Sequence, residues 1–306
     1  MKNHAFLITA HHQPALLARM LRVLEADNHY FFIHINTRSG ALSPFKEATK
    51  DIKNVTFVDR VCLYHGHISQ IWATLIMIKA AIDTGVDFSY FHNITGQDYP
   101  LRSNRIFDAF FDSNTDSYLL YEDFQNLTIK SQNHHMNRVM QFRPKFNDNK
   151  IMKSLYYGFK IPNIIRMFIK RPPVDNFSFG SDFFSLHKNV IDYLLDYNQK
   201  HPDFLCRFMN TSSPSEIYYH TLLKPVVERF HIHTKEPLRY FSFVPHRPVS
   251  TKYRPFNLTE EDYEYVIDSR AFFCRKVHET ESAKLLDMID AQRENEYDIN
   301  QHTKIY

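Results

Sequence analysis

The strongest constraint on the fold of this chain is a regular alternation of short apolar segments with amphipathic segments. Residues 5–10 (AFLITA), 29–35 (HYFFIHI) and 88–94 (FSYFHNI) are rich in β-branched and aromatic residues, which is typical of buried strands. Residues 14–26 and 68–82 instead place Leu, Ile and Met at helical spacing. This order predicts an α/β fold, with a mostly parallel sheet flanked by helices and ligands bound beyond the carboxyl ends of the strands.

The rest of the chain continues this pattern. Further strands are expected at 54–58, 117–121, 179–186, 225–234, 239–244 and 272–277. Further helices are expected at 104–111, 188–198, 213–223, 259–268 and 281–292. Because no clear linker or repeat interrupts the pattern, we expect a single domain over 1–306, in which residues 126–175 form an insertion between the halves 1–125 and 176–306.

Composition excludes several classes of function. A net charge of +3 is too small to indicate a nucleic-acid partner, and the chain has no glycine-rich nucleotide motif. Three scattered cysteines form neither a zinc pattern nor a disulfide framework, which fits a reducing compartment. The N-terminal apolar stretch is too short for a signal peptide, and no run approaches the length of a membrane span. We therefore expect a cytoplasmic protein.

Residues 130–171 form a basic segment with ten Lys or Arg residues and one acidic residue, Asp148. Its second part, 151–171, mixes basic residues with Ile, Met, Phe, Tyr and Leu, which favours contact with an anionic membrane surface. The alternative is a helical insertion that packs on the main domain and keeps its charges solvated. The first interpretation predicts peripheral contact with the inner membrane.

Glu216 has two competing interpretations. Residues 213–216 (SPSE) precede an apolar run and match a helix capping box, in which Glu216 reaches back to the helix start. Alternatively, Glu216 is a catalytic base at the rim of a cleft. Nearby in the predicted sheet, His11 at a strand exit is typical of a pocket-lining residue. Asp98 is typical of a turn residue that bonds to its own loop.

The adjacent histidines at 11–12 and 134–135 do not indicate a metal site. Neighbouring residues on a strand point to opposite faces, so neither pair can chelate a cation alone. The chain also lacks a matching carboxylate spacing and any Asp-x-Asp pattern. We therefore expect no metal at the functional site.

Five segments, taken in order, resemble the sequence blocks of a known enzyme family. They are 5–12 (AFLITAHH), 86–105 (VDFSYFHNITGQDYPLRSNR), 179–186 (FGSDFFSL), 214–222 (PSEIYYHTL) and 272–277 (FFCRKV). Each block is weak alone, but together they span nearly the whole chain. The chain resembles glycosyltransferase family 14, the core-2/I-branching β-1,6-N-acetylglucosaminyltransferases and peptide O-xylosyltransferases.

This resemblance implies a GT-A-type fold with a Rossmann-like sheet, a UDP-sugar donor, a glycan acceptor and transfer with inversion. It also implies that no divalent metal is required, in agreement with the lack of an Asp-x-Asp pattern. The family's base matches Glu216, and its diphosphate-binding residues match Lys276 and, more loosely, Arg239. Donor-binding positions fall on Ala10, His11, Asn36, Tyr64 and Asp98, and a sugar pocket falls on Gly180, Ser181 and Asp182.

The sequence departs from the family at the second strand exit. Where the family commonly has His-x-Asp, this chain has His34-Ile35-Asn36, whose amide both donates and accepts hydrogen bonds. The resemblance favours a bacterial-type member that transfers GlcNAc in surface polysaccharide synthesis, with 1–125 binding the nucleotide sugar and 176–306 the acceptor. The alternative is a non-catalytic protein that binds a nucleotide sugar or a carbohydrate on the same fold.

Overall fold

The computed structural model describes residues 1–122, 124, 127–140, 151, 154, 174–236, 238–241 and 256–299. The strands in these residues are β1 (Asn3–Ala10), β2 (His29–Ile35), β3 (Val55–Phe57), β4 (Phe88–Thr95), β5 (Asp98–Pro100), β6 (Ser117–Tyr121), β7 (Gly180–His187), β8 (Ile232–His233), β9 (Arg239–Phe241) and β10 (Phe273–Arg275). The helices are α1 (Pro14–Leu24), α2 (Ser43–Ala48), α3 (Ser69–Asp83), α4 (Asn104–Asp112), α5 (Ile129–Met140), α6 (Lys188–Lys200), α7 (Pro202–Cys206), α8 (Ser215–Leu223), α9 (Tyr263–Asp268) and α10 (Ala283–Ile299).

The described strands form a large and a small sheet. The large sheet has seven strands in the order β3-β2-β1-β4-β7-β6-β8, in which β7 runs antiparallel to both neighbours and the other pairs are parallel. The small sheet has the order β5-β10-β9. The prediction of an α/β fold with a mostly parallel sheet is therefore confirmed. Because β7 lies between β4 and β6, the predicted halves share one sheet.

Helices cover both faces of the large sheet because successive residues of a strand point to opposite sides. On one face, Phe6 and Ile8 of β1 pack in a buried core with Leu17 of α1 and Phe107 of α4. On the other face, Leu7 packs in a second core with residues of α3 and α8. The central strands are buried on both sides, which explains why they read as continuous apolar runs in the sequence.

The strand expected at 225–234 is the largest difference from the predicted elements. Pro225 instead lies in a 3-10 turn, Lys224–Val226, directly after α8. Proline fits a helical first turn but cannot donate to a strand ladder, so the extended backbone starts only at Ile232. The resulting strand β8 is two residues long and pairs with β6.

The C-terminal elements follow the predicted order with shifted ends. The helix expected at 259–268 starts as a 3-10 turn, Glu260–Asp262, and Thr259 forms the expected cap through a capping box with Asp262. The last helix extends beyond the expected 281–292. Of the strand expected at 239–244, residues 242–244 lie outside the described part of the chain.

Most of the basic segment lies outside the described part of the chain, namely residues 141–150, 152–153 and 155–171. The prediction of membrane contact rests mainly on these residues. The start of the segment belongs to α5, where Arg138 is buried at 6% exposure instead of being solvated. Among the described residues, no helix combines the length and the apolar character that crossing a membrane requires.

Gly180 at the start of β7 provides a test of the sheet geometry. A Cβ at this position would overlap the carbonyl oxygen of Leu120 and would lie 2.7 Å from His220 Nε2. Because β6 cannot move away without breaking its pairing with β7, we expect Gly180→Ala to lower the free energy of unfolding by about 3 kcal/mol or more.

The matched control is Gly40→Ala, whose Cβ would meet no atom within 4 Å. Gly40 has a φ of 80° and a ψ of −136°, a backbone conformation that alanine rarely adopts, so this variant should lose only the cost of that strain, about 1–3 kcal/mol. Denaturant unfolding of the two variants measures the difference. Equal losses would contradict the close packing of β7 against β6 and α8.

Candidate functional site

A cavity of about 850 Å³ opens at the carboxyl ends of β1 and β4, where an α/β sheet is expected to bind its ligand. Its walls come from the residues after β1, the turn after β4, the start of β7 and the start of α8. The strand β7 contributes its amino end because it runs antiparallel to β4. The volume is typical of a site for a small molecule.

Most residues expected at the functional site line this cavity. They are Ala10, His11, Asn36, Tyr64, Gly180, Ser181, Asp182, Glu216 and Lys276. The two others, Asp98 and Arg239, are buried beside the cavity lining, with exposures of 0% and 6%. The structure thus brings residues from both predicted halves of the chain to one cavity.

Glu216 lies in the first turn of α8, and its carboxylate binds Arg138 of α5. Glu216 Oε2 accepts a hydrogen bond of 2.6 Å from Arg138 Nη2. Arg138 also donates to the carbonyl oxygens of Ser212 and Ser213, over 3.1 Å and 2.8 Å. The side chain of Glu216 keeps 43% exposure, whereas that of Arg138 has 7%. A buried guanidinium group therefore holds a partly exposed carboxylate at the cavity wall.

The capping-box interpretation of residues 213–216 is wrong. The residue before the first helical turn is Pro214, and within the described residues no side chain caps this helix start. Ser213 has a left-handed backbone with a φ of 48°, and its N–H donates to the Gly66 carbonyl over 3.0 Å. The Ser213 N–H that a capping box would use is therefore already bonded to Gly66, and the carboxylate of Glu216 binds Arg138 instead.

The surroundings of Glu216 raise its pKa. Burial has the largest effect and raises the pKa, Arg138 lowers it, and the neighbouring Asp182 carboxylate raises it again. Glu216 therefore binds a proton more tightly than a free glutamate, so its ionised form is the stronger base. A carboxyl group with a shifted pKa in a cavity is a candidate for acid–base catalysis.

A further part of the cavity wall carries two cationic residues, Arg275 and Lys276, at the end of β10. Arg275 Nη1 donates to Thr95 Oγ1 over 3.1 Å, and the guanidinium carbon lies 4.3 Å from the centre of the Phe183 ring. These contacts fix the direction of the Arg275 side chain. Cationic side chains at a cavity favour the binding of an anion such as a diphosphate.

The structure corrects the position expected for Arg239. Its side chain is 3% exposed, lies 3.3 Å from Asp98 and packs 4.3 Å from the centre of the Phe183 ring. Burial lowers the pKa of Arg239 to about 10, and the charge of Asp98 opposes this shift. Because β9 pairs with β10, Arg239 and Arg275 lie close together, and it is Arg275 that lines the cavity.

Asp98 also has a role different from the expected donor contact. With zero exposure, its carboxylate cannot meet a ligand in the cavity. Asp98 Oδ2 accepts a hydrogen bond of 2.5 Å from Thr95 N–H, which is the turn role that the loop sequence predicted. Its Oδ1 lies 3.3 Å from both Arg239 Nε and Arg275 Nη1. Asp98 therefore positions two guanidinium groups and acts on the cavity only through them.

The amide of Asn36 holds the loop that follows β3. Asn36 Oδ1 accepts hydrogen bonds from the N–H groups of Arg38 and Leu63, and Nδ2 donates to the Leu63 carbonyl over 3.0 Å. The same loop places Tyr64 in the cavity wall, with its ring 4.9 Å from the guanidinium carbon of Arg38. An aspartate at position 36 could not donate to Leu63, which gives a structural reason for the amide.

His11 is a neutral hydrogen-bonding group of the cavity wall. Desolvation lowers its pKa to about 4, and His12 and Lys276 add to this effect. An imidazole with this pKa carries no charge at neutral pH, so it can donate from one nitrogen and accept at the other.

Sequence reasoning missed Arg138, which it counted within the basic segment, and the aromatic pair of His135 and Phe179. All three residues line the cavity, and the rings of His135 and Phe179 stack with centres 3.8 Å apart. The available signal was the spacing of His135 and Arg138, because residues three apart on a helix share one face.

The chain is similar to curated animal glycosyltransferases. It is 23% identical over 72% of its length to β-1,3-galactosyl-O-glycosyl-glycoprotein β-1,6-N-acetylglucosaminyltransferase 4 of Danio rerio, of which it covers 49%. It is 23% identical over 94% of its length to xylosyltransferase 2 of Rattus norvegicus, of which it covers 33%. The chain therefore spans about half of the first relative and a third of the second.

Solved structures give weaker likenesses. The galactosyltransferase LgtC, crystallised with donor and acceptor sugar analogues, aligns over 96% of this chain and 95% of its own, with 9% identity and a TM-score of 0.38. A nucleoside-diphosphate-sugar pyrophosphorylase from Vibrio cholerae aligns over 76% of this chain and 91% of its own, with a TM-score of 0.34. Scores this low carry no argument about function.

The family model described as "Branch: Core-2/I-Branching enzyme" matches residues 4–267. The matched residues include the turn after β4, the start of β7 and the helix α8 that carries Glu216. Since the match covers most of the chain, the protein belongs to the Core-2/I-Branching enzyme family.

Proposed function

We propose that this protein is a glycosyltransferase that moves a sugar from a UDP-sugar to a hydroxyl group of a glycan acceptor, with inversion at the anomeric carbon. Family membership and the names of the relatives support sugar transfer. The observation that carries the proposal is Glu216, a carboxylate with a raised pKa at a cavity that Arg275 and Lys276 also line. GlcNAc is the sugar that most of the relatives' names favour, with xylose as the second candidate.

Glu216 acts as the general base. The acceptor oxygen attacks the anomeric carbon and forms the new C–O bond while the bond to the UDP oxygen breaks, and the hydroxyl proton passes to Glu216. Arg138 binds Oε2, so Oε1 receives the proton. The attack comes from the side opposite the leaving UDP, which inverts the anomeric carbon.

Arg275 and Lys276 stabilise the negative charge of the leaving diphosphate. A guanidinium group suits bidentate contact with phosphate oxygens, whereas an ammonium group acts as a mobile point charge. Asp98 and Phe183 hold Arg275 in position before the donor arrives. With two cations beside the donor, transfer needs no divalent metal.

The proposed biological role is synthesis of a bacterial surface polysaccharide at the cytoplasmic side of the inner membrane. The basic composition of residues 130–171 supports contact with anionic lipid near the acceptor. The alternative function is binding of a nucleotide sugar or a carbohydrate without transfer, and the first experiment below separates the two.

Replacement of Glu216 by Gln keeps the shape of the side chain and removes the proton acceptor. We expect kcat for transfer to fall by about 10²–10⁴-fold and the affinity for UDP to stay unchanged. UDP release from a panel of UDP-sugars with a glycan acceptor measures transfer, and calorimetric titration measures UDP binding.

Glu47→Gln is the control, since Glu47 lies on α2 outside the cavity and its side chain is 73% exposed. It should transfer at the rate of the parent protein. Full activity of Glu216→Gln would remove the assignment of the base. A parent protein that binds UDP but releases none from any donor would favour the non-catalytic alternative.

The pH dependence of kcat tests the charges around Glu216. The ionised carboxylate is the active form, so kcat should fall as the pH drops through the raised pKa of Glu216. Arg138→Gln removes a positive charge that lowers this pKa, so the acid limb of the profile, where kcat falls at low pH, should move to higher pH. Asp182→Asn removes a negative charge that raises it, so the limb should move to lower pH.

Arg138→Lys keeps the positive charge and is the matched control for Arg138→Gln. Its acid limb should stay close to that of the parent protein. The profiles are recorded at constant ionic strength, because salt screens these interactions. Movement of the limb in the same direction for Arg138→Gln and Asp182→Asn would contradict the proposed role of Glu216.

Lys276→Ala tests the diphosphate site. Loss of one hydrogen bond to a charged group costs about 1.5–3 kcal/mol, so the Kd for UDP should rise by about 10–100-fold. Lys79→Ala is the control, since Lys79 is 74% exposed on α3. Transfer by the parent protein should not increase with added Mg²⁺ or Mn²⁺ and should survive a brief exposure to chelator. Strict dependence on an added cation would refute the metal-independent mechanism.

A further inference from the structure

A second polar cluster lies at the amino-terminal ends of β1 and β2. His4 of β1, His29 of β2 and Asp108 of α4 are buried, with exposures of 0%, 0% and 7%. Along the eight-residue strand β1, His4 is six residues before Ala10 at the cavity. At the rise of an extended strand this separation is roughly 20 Å. The cluster is therefore distinct from the cavity.

One atom from each of the three side chains lies around a common point. His29 Nε2 lies 2.8 Å and His4 Nε2 lies 3.6 Å from Asp108 Oδ1, and the three atoms lie within 4.8 Å of one another. A tetrahedral zinc ion with bonds of about 2.0–2.1 Å places its ligand atoms about 3.3–3.4 Å apart. Small side-chain movements would bring the three atoms to these separations.

The outer hydrogen bond of His29 is typical of a metal ligand. His29 Nδ1 lies 2.7 Å from the Leu24 carbonyl, which can only accept, so Nδ1 carries the proton. Metal-bound histidines commonly donate their other N–H to a backbone carbonyl in this way. His29 Nε2 lies 2.8 Å from Asp108 Oδ1. A nitrogen and a carboxylate oxygen this close in a buried place need a proton or a metal cation between them.

The outer nitrogen of His4 also has a hydrogen-bond partner, which is a second histidine. His4 Nδ1 lies 3.0 Å from His92 Nε2, and His92 Nδ1 lies 2.9 Å from Ser185 Oγ. Among the described residues, His4 Nε2 has no hydrogen-bond partner. A buried nitrogen without a partner needs an explanation, and a bound cation provides one.

We propose that His4, His29 and Asp108 bind one divalent transition-metal cation, for which zinc is the best match, and that this ion clamps β1, β2 and α4 together. Two imidazoles and one carboxylate are a zinc ligand set. Asn28 Nδ2 donates to Asp108 Oδ1 over 3.3 Å, as expected for a group that orients a metal-bound carboxylate. The ion has a structural role and takes no part in the proposed transfer, so the two proposals stand independently.

Metal analysis of the purified protein tests this proposal. The chain is produced in zinc-supplemented medium with an affinity tag that contains no histidine run, and bound metals are measured by mass spectrometry. We expect about one zinc ion per chain. Refolding in the presence of chelator should lower the melting temperature, and added Zn²⁺ should restore it. A metal-free protein whose melting temperature does not respond to Zn²⁺ would overturn the proposal.

Asp108→Asn should abolish zinc retention, and the control His231→Gln, at an exposed histidine, should retain it. If Asp108→Asn does not fold, the visible absorption spectrum of the parent protein refolded with Co²⁺ tests the site instead. Intense visible bands typical of tetrahedral Co²⁺ would support the site, and their absence would overturn it. Neither readout depends on transferase activity, so a failure here is distinct from a failure of the proposed function.

Discussion

One buried carboxylate, Asp98, determines where the positive charges of the cavity lie. A carboxylate with no exposure must be compensated inside the protein, because an unpaired buried charge costs several kcal/mol. Asp98 meets this requirement with Thr95 N–H and the guanidinium groups of Arg239 and Arg275. These contacts tie the small sheet to the turn after β4. They place Arg275, and Lys276 next to it, at the wall of the cavity.

Glu216 shows how a different balance of the same forces produces a reactive group. Asp98 has two arginines and no contact with solvent, so it can only hold other groups in place. Glu216 has one arginine, a second carboxylate nearby and 43% exposure. Arg138 compensates part of its charge, yet its pKa is raised and its surface is open to a ligand. The number of cationic partners and the exposure of the carboxylate distinguish the structural group from the reactive one.

The sequence predicted those features that depend on local pattern. The ends of β2 and β6 fall where expected, because apolar periodicity and turn residues mark them directly. Strand exits could be placed at the cavity because parallel strands end at one edge. Contacts between distant segments could not be predicted. Arg138 lies 78 residues before Glu216 in the sequence. Arg275, and not the expected Arg239, lines the cavity because of the way β9 pairs with β10.

Two residues with positive φ angles lie at the same edge of the sheet as the reactive group. Gly66 and Ser213, both in the cavity wall, have positive φ angles of 63° and 48°. A non-glycine residue in this region costs about 1–2 kcal/mol and persists only where its surroundings hold it. Arg138 does so by binding the carbonyls of Ser212 and Ser213 together with the carboxylate of Glu216. One arginine thus stabilises the strained turn and limits the rise in the pKa of the base. If the helix start formed the capping box that its sequence predicts, Arg138 would bind neither the turn nor the carboxylate of Glu216.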